Sequence, residues 1–262
     1  KTGSDSVKQV HHEIIKEVTL TAINTEAYGR DTGESFIKLI DTIIKKTSVP
    51  RISFGSIHPW SVNEEFLNFY KKILPKKRVV DFFHIPLQSG SNKMLSLMRR
   101  GYTGEEFVEK LQIIKKINPF AFIGTDIIVG FLDETDEDFA DTYKFLEGSP
   151  ISKFHIFRFS PREKTAAFFM KKRLKEPTPA QKQKRAVALA ELNNKKYHSF
   201  LQKHVGESFS ALFLEKREGV YQHVLLTNQI GALIKSPEDN KGMINDVILT
   251  SVKNGLLFGQ IQ

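Results

Sequence analysis

Between residues 18 and 159 the apolar positions switch repeatedly between a two-residue period and a helical one, and a polar, often Gly-containing stretch lies at most of the switches. Val18-Thr19-Leu20-Thr21-Ala22-Ile23 is β-rich and stops at Asn24; after a loop to Gly33, Phe36, Leu39, Ile40, Ile43 and Ile44 share a helix face. Arg51 to Ser56 reads as the next strand, and residues 63 to 73 as a helix through Phe66, Leu67, Tyr70 and Ile73. The cycle repeats with a strand over Val79 to Pro86 and a helix over Glu105 to Ile117. Then come a strand over Phe120 to Val129, a helix over Thr135 to Leu146 and a strand over Ser152 to Phe159. Strands that alternate with helices pair in parallel through crossovers, which predicts a doubly wound sheet or a β/α barrel. A helix-like segment, Val7 to Ile15, precedes the first unit.

After Phe159 the pattern changes. Pro161, Pro177 and Pro179 punctuate a basic linker, and Ala180 to Leu201 reads as one long helix. From Gly206 short β-type runs follow at Ser208 to Leu214, Tyr221 to Thr227, Gly231 to Ile234, Asp246 to Val252 and Leu256 to Ile261, the pattern of a small barrel or sandwich. A boundary near residue 204 divides the chain into 1–203 and 204–262.

With 40% hydrophobic residues, the 262-residue chain can bury a sizeable core. No apolar run approaches the roughly 18 residues that cross a bilayer, so no membrane partner and a soluble, cytoplasmic protein are expected. The net charge of +9 is uneven: residues 171 to 203 hold ten Lys or Arg against two acids, Glu176 and Glu191. Such a block is either a phosphate-facing surface or a solvated helix face. There is no cysteine, so these residues can hold neither a disulfide nor a thiolate-bound cluster.

Several segments together carry a resemblance. They are Leu20-Thr21-Ala22-Ile23-Asn24 with Tyr28-Gly29, the strand from Arg51 leading to His58-Pro59, and Gln88-Ser89-Gly90-Ser91. The others are Arg99-Arg100-Gly101-Tyr102-Thr103, Thr125 to Phe131 with Glu134-Thr135, and His155 to Arg162 with Thr165. In this order they resemble the radical S-adenosylmethionine (SAM) methylthiotransferases, the MiaB-type enzymes that put a methylthio group on tRNA. The resemblance implies an α/β fold, a partial parallel β/α (TIM-like) barrel followed by a small all-β barrel (TRAM, OB-like) that binds RNA. It also implies SAM and [4Fe-4S] clusters as cofactors, the clusters held by cysteines outside this segment. The chain is then expected to be the C-terminal part of a longer enzyme and inactive alone.

Functional groups of a β/α barrel gather at the strands' C-terminal ends. Gln88 and Ser89 stand at such an end, and by resemblance lie near the ribose or amino-acid end of SAM; the other reading is that Gln88 to Ser91 caps the following helix. Arg99 and Arg100 either fork onto the SAM carboxylate or pair with Glu105 or Glu106. Asn24 and Tyr28 match positions that contact the SAM amino group, although a turn Asn and a core Tyr would look the same. Asp126, a carboxylate in an apolar strand, needs a partner or a place at the barrel mouth. Gly130 allows close approach of a ligand, adenine by resemblance, or serves a turn. The family's usual Pro-Gly before Glu134-Thr135 is Leu132-Asp133 here, and Glu134 is expected to cap the following helix. Arg158 is expected at the barrel mouth. His58 before Pro59 reads as structural, and no compact carboxylate and histidine set is legible at the strand ends. No catalytic residue and no metal ligand are assigned.

The resemblance implies transfer of a methylthio group to a modified adenosine, adenosine 37 in the anticodon loop of tRNA, with the sulfur donor unspecified. Its other branch modifies an aspartate of a ribosomal protein. A cluster-free RNA-binding module without catalysis is the reading from a different class.

Overall fold

The computed structural model describes residues 15–22, 24–29 and 31–262. Strands β1 (Glu17–Leu20) and β2 (Arg51–Phe54) pair in parallel, with Glu17 opposite Arg51. Strands β3 (Phe82–His84), β4 (Phe122–Val129) and β5 (Lys153–Arg158) form a second parallel sheet in that order. A parallel bridge between Ile52 and Val79 joins the two, and the Ile57 N–H donates to the His84 carbonyl. The five strands therefore follow one another in chain order as a single arc, the partial barrel that the resemblance implies.

Helices α1 (Phe36–Lys46) and α2 (Glu64–Ile73) fill the first two crossovers. Helices α3 (Asn92–Leu97) and α4 (Gly104–Ile117) lie between β3 and β4, and α5 (Asp136–Gly148) lies between β4 and β5. Helices α6 (Ala166–Met170) and α7 (Pro179–Gln202) follow β5. The helix expected over Val7 to Ile15 lies outside the described residues except at Ile15. Among the described residues, no helix is long and apolar enough to cross a membrane.

The period of β4 sorts its side chains. Ile123, Thr125, Ile127 and Val129 are fully buried, and the three aliphatic ones belong to the core under the helices. Phe122, Gly124, Asp126 and Ile128 point to the opposite, concave face. The strand expected over Val79 to Pro86 is shorter than its pattern, and at its C-terminal end Pro86 has no N–H to donate to a ladder. Buried Thr125 fills the break: its hydroxyl donates to the Ile85 carbonyl at 2.7 Å and accepts the Leu87 N–H at 2.8 Å. Pairing resumes at Gln88, which bridges to Ile127.

The C-terminal strands β6 (Ser208–Glu218), β7 (Tyr221–Leu226), β8 (Gly231–Lys235), β9 (Ile244–Lys253) and β10 (Leu256–Ile261) close into a small barrel in the order β10-β8-β7-β6-β9. Where Phe258 pairs with Ser251 and Gly259 with Leu249, Thr250 is the extra residue of a bulge that bends β9; a Cβ on Gly259 would stand 2.4 Å from the Ile248 carbonyl oxygen. This barrel seals the end of the arc where β3 and β4 begin. Phe82 stacks on Phe122 with centroids 4.9 Å apart, and Phe122 meets Phe200 of α7 edge-on. Buried Arg51 donates to the carbonyls of Leu225 and Leu226 and pairs with Glu17.

His204 ties these pieces together. Its Nδ1 lies 2.9 Å from the Phe200 carbonyl, so Nδ1 donates and Nε2 accepts from Asn228 Nδ2 at 2.8 Å; Asn228 Nδ2 also donates to the Phe120 carbonyl. Burial lowers the His204 pKa to about 4. The unfolded chain binds this proton near pH 6.5 and the folded chain does not, so stability is full above that pH and is lost as pH falls toward 4. The unfolding free energies of wild type and His204→Gln should converge by about 3 kcal/mol between pH 7 and pH 4 in urea titrations. Parallel curves would show that His204 does not carry this dependence.

Candidate functional site

The end of the arc opposite the small barrel is formed by the C-terminal ends of the parallel strands and the loops that follow. After β1, the Asn24 carbonyl accepts the Ala27 N–H at 3.2 Å and opens a single 3-10 turn, Thr25–Ala27. Tyr28 follows and is 44% exposed, which removes the core reading of this residue.

After β3, Gln88 has a left-handed backbone (φ 82°) that a non-glycine residue adopts at a cost. Two bonds over-determine it: its N–H donates to the Asp126 carbonyl at 2.8 Å, and its carbonyl accepts the Ile128 N–H at 2.9 Å. Ser89 lies elsewhere than expected. It is fully buried, its hydroxyl stands 3.1 Å from Thr142 Oγ1 of α5, and it accepts the Ser91 N–H, so it fastens the loop to α5 rather than facing the rim. Ser91 caps α3 by accepting the Met94 N–H. The capping alternative therefore holds for Ser91 and leaves Gln88 unexplained by it.

Helix α3 stops at Arg99, whose backbone is also left-handed (φ 56°), and the Arg100 N–H returns to the Leu95 carbonyl. Glu105 accepts from Asn92 Nδ2 and Glu106 completes a capping box with Thr103. Both acids thus have partners other than the arginine pair. Arg100 Nε is buried and has no hydrogen-bond partner among the described residues. A buried donor in this state is costly.

Asp126 has its partners on both sides. His84 Nε2 of β3 lies 3.1 Å from Oδ2, and His155 Nδ1 of β5 lies 3.3 Å from Oδ1. The three residues form a compact carboxylate and histidine set on neighbouring strands of the concave face, with one donor atom of each within 4.8 Å of the others. The strand ends, where no such set is legible in the sequence, are not its place: Asp126 and His155 stand within β4 and β5. The residues are distant in sequence, and only the sheet order and register bring them together. Burial by itself raises the Asp126 pKa, but the bonds and charge from His84 and His155 bring it below the ordinary carboxylate value.

Gly130 has φ 74°, and a Cβ there would lie 2.3 Å from Cγ of Lys182. The space a glycine leaves is thus taken by a lysine stem of α7 rather than left open to a ligand. Lys182 itself is buried, donates to the Phe159 carbonyl and pairs with Glu176. Asp133, at the family's glycine position, takes the left-handed backbone (φ 56°) that a turn there requires. Glu134 does not cap α5; Thr135 does, in a capping box with Asp138. Glu134 instead accepts the Gly130 N–H at 2.6 Å and pairs with Arg185 of α7 at 2.6 Å, both side chains buried. Burial pushes the Glu134 carboxyl up in pKa, against the pull of Gly130 and Arg185.

Arg158 does not face the barrel mouth. It is an odd number of residues from His155, so it leaves the strand on the other side, and its Nη1 donates to Gln183 of α7 at 2.8 Å. Sequence reasoning also missed Lys182 and Arg185: part of the basic block is spent inside the fold, while Lys172, Arg173, Lys175, Lys184, Lys195 and Lys203 are exposed. Breaking the Glu134–Arg185 pair leaves a buried carboxylate without its cation. Arg185→Met should lower stability by about 3 kcal/mol in urea unfolding, and adding Glu134→Gln should recover part of the loss. An unchanged midpoint in the single variant would contradict the role given to the pair.

The model of the Radical SAM superfamily matches residues 5–146. Threonylcarbamoyladenosine tRNA methylthiotransferase MtaB of Aquifex aeolicus is 40% identical over 223 residues, 82% of this chain and 53% of that protein. The tRNA-2-methylthio-N(6)-dimethylallyladenosine synthase of Protochlamydia amoebophila is 35% identical over 206 residues, 77% of this chain and 44% of that protein. The chain spans about half the length of the curated relatives it matches. Among solved structures, coproporphyrinogen III oxidase HemN of Escherichia coli aligns at a TM-score of 0.49 with 14% identity, over 78% of this chain and 51% of that chain, a likeness too low to bear on the argument. With its model covering more than half of the residues, the radical SAM superfamily is the family to which this chain belongs.

Proposed function

We propose that this chain is the SAM-cradling and RNA-gripping part of a tRNA methylthiotransferase that acts on an N6-modified adenosine of the anticodon loop. The observation that carries the reading is the 40% identity to an enzyme named for this reaction, sustained over 82% of the chain. The rim supports it. Arg100 offers a buried, unsatisfied guanidinium N–H suited to the SAM carboxylate, and Gln88 is held in a strained backbone on the loop after β3. Asn24 and Tyr28 stand on the loop after β1 and Arg99 at the end of α3, and all three are proposed to contribute to the amino-acid end of SAM. Gly130 shapes the β4 end, Asp126 acts lower on the concave face between His84 and His155, and Ser89 acts through the loop it anchors.

SAM, when bound in such a protein, supplies the radical and the methyl group. The residues present fit SAM but not an iron-sulfur cluster, because the segment holds no cysteine. No step through a cluster is derived from these residues. What they do is bind, orient and exclude water.

The exposed lysines and arginine of residues 172 to 203, with the small C-terminal barrel (residues 204–262 as a TRAM-like unit), are the proposed grip on tRNA phosphates. Filter-binding titrations with tRNA should show affinity falling steeply with salt. Replacing Lys172, Arg173 and Lys175 by Gln should make the slope shallower by about 0.7 to 0.9 for each phosphate contact removed. An unchanged slope would remove this segment from the RNA interface.

A further inference from the structure

The set His84, Asp126 and His155 lies on the concave face below the rim, and the SAM contacts proposed above do not use the two imidazoles. A carboxylate only accepts hydrogen bonds, so the ring nitrogens that face Asp126, Nε2 of His84 and Nδ1 of His155, carry protons. In a neutral imidazole the remaining nitrogen is then a bare acceptor. For His84 this is Nδ1, which stands over Gly124; a Cβ on that residue would come within 3.1 Å of it. For His155 it is Nε2, on a ring that is 63% exposed.

These acceptors border a cavity of about 240 Å³ lined by Phe82, Phe122, His84, His155, Tyr197 and Ile230. That is smaller than the roughly 300 to 1,000 Å³ of drug-sized pockets and fits a single planar base. Phe82, Phe122 and Tyr197 bring aromatic rings to it, and His84, His155, Lys153 and Gln229 bring polar groups. Lys153, also on its border, is turned to the Tyr197 ring, with Nζ 4.5 Å from the centroid. Gln229, also on its border, donates from Nε2 to Glu17, so the polar groups left to a ligand are acceptors, and they select a ring bearing N–H donors. Aromatic walls with a hydrogen-bonding edge are how proteins hold an unstacked base.

We propose that His155, oriented by Asp126 with His84 behind it, is the acceptor that reads the exocyclic amino N–H of an adenine seated in this lumen. The inference rests on the tRNA reading above and assigns the base-recognition residue within it. An N6-substituted adenosine of the dimethylallyl type keeps one such N–H, so the same contact serves before and after the N6 group is added. Asp126 and His84 are positioning residues: they fix which nitrogen of His155 is bare.

Two measurements test this. In long-range proton-nitrogen spectra of the histidine-labelled chain near pH 8, His155 should be protonated on Nδ1, and an Nε2-protonated ring would overturn the proposal. Fluorescence anisotropy with anticodon stem-loop RNAs whose loop base is adenine or unsubstituted purine should show about a fivefold to tenfold preference for adenine in wild type. His155→Phe should bring the adenine-loop affinity down to the purine-loop level, whereas His155→Gln, which keeps an acceptor, should retain part of the preference. A preference unchanged in His155→Phe would overturn the proposal. So would stoichiometric zinc, iron or manganese bound through the three residues, since a metal would occupy their lone pairs. RNA binding without base preference would sink this inference alone; failure to bind either RNA would sink the functional reading beneath it.

Discussion

The two-residue period of β4 is the constraint on which the rest depends. One parity carries Ile123, Thr125, Ile127 and Val129 into the core, and the other carries Gly124, Asp126 and Ile128 to the concave face. A slip of one residue would put a carboxylate under the helices and leave two isoleucines facing the lumen. Side-chain bonds hold the register where the ladder is weakest. Thr125 bridges the gap at Pro86, the Gln88 backbone clasps Asp126 and Ile128, and Ser152 Oγ accepts the Ile123 N–H. The same register sets His84 and His155 on either side of Asp126.

Helix α7 is the second determinant, because one rigid rod reaches both ends of the arc. Near its start, Lys182 and Arg185 close over Gly130 and Glu134 at the rim. In its middle, Asn193 accepts the Phe154 N–H and covers the edge of β5, which would otherwise expose unpaired backbone. At its end, Phe200 and the adjoining His204 pack against the small barrel. RNA held on the exposed basic residues of this helix would thus bear on an element that also supports the loop after β4. The buried basic residues do structural work, and only the exposed ones remain for phosphates.

Much of this was legible in the sequence. The helices over 36–46, 64–73, 104–117, 136–148 and 179–202 follow their apolar spacing closely, and all five C-terminal strands fall where short β-type runs stand between turn residues. Local chemistry was less so. Ser89 and Gly130 read as ligand contacts because a loop at a strand end invites that reading, but their partners, Thr142 and Lys182, lie far along the chain. Arg158 was misplaced for a simpler reason: an odd spacing from His155 puts the two on opposite faces. The His84, Asp126 and His155 set was invisible because three strands must first be ordered and registered before residues separated by dozens of positions become neighbours. Pairs that depend on tertiary register leave no periodic trace.

Methylthio transfer to an adenosine of tRNA is the role proposed for these residues. The direct measurement uses the whole protein, reconstituted anaerobically with iron and sulfide and incubated with SAM, a reductant and tRNA lacking the modification, followed by mass spectrometry of the digested nucleosides. The account predicts a methylthio-adenosine derivative that disappears when SAM is omitted. Cleavage of SAM with every adenosine of the tRNA left unaltered would contradict it.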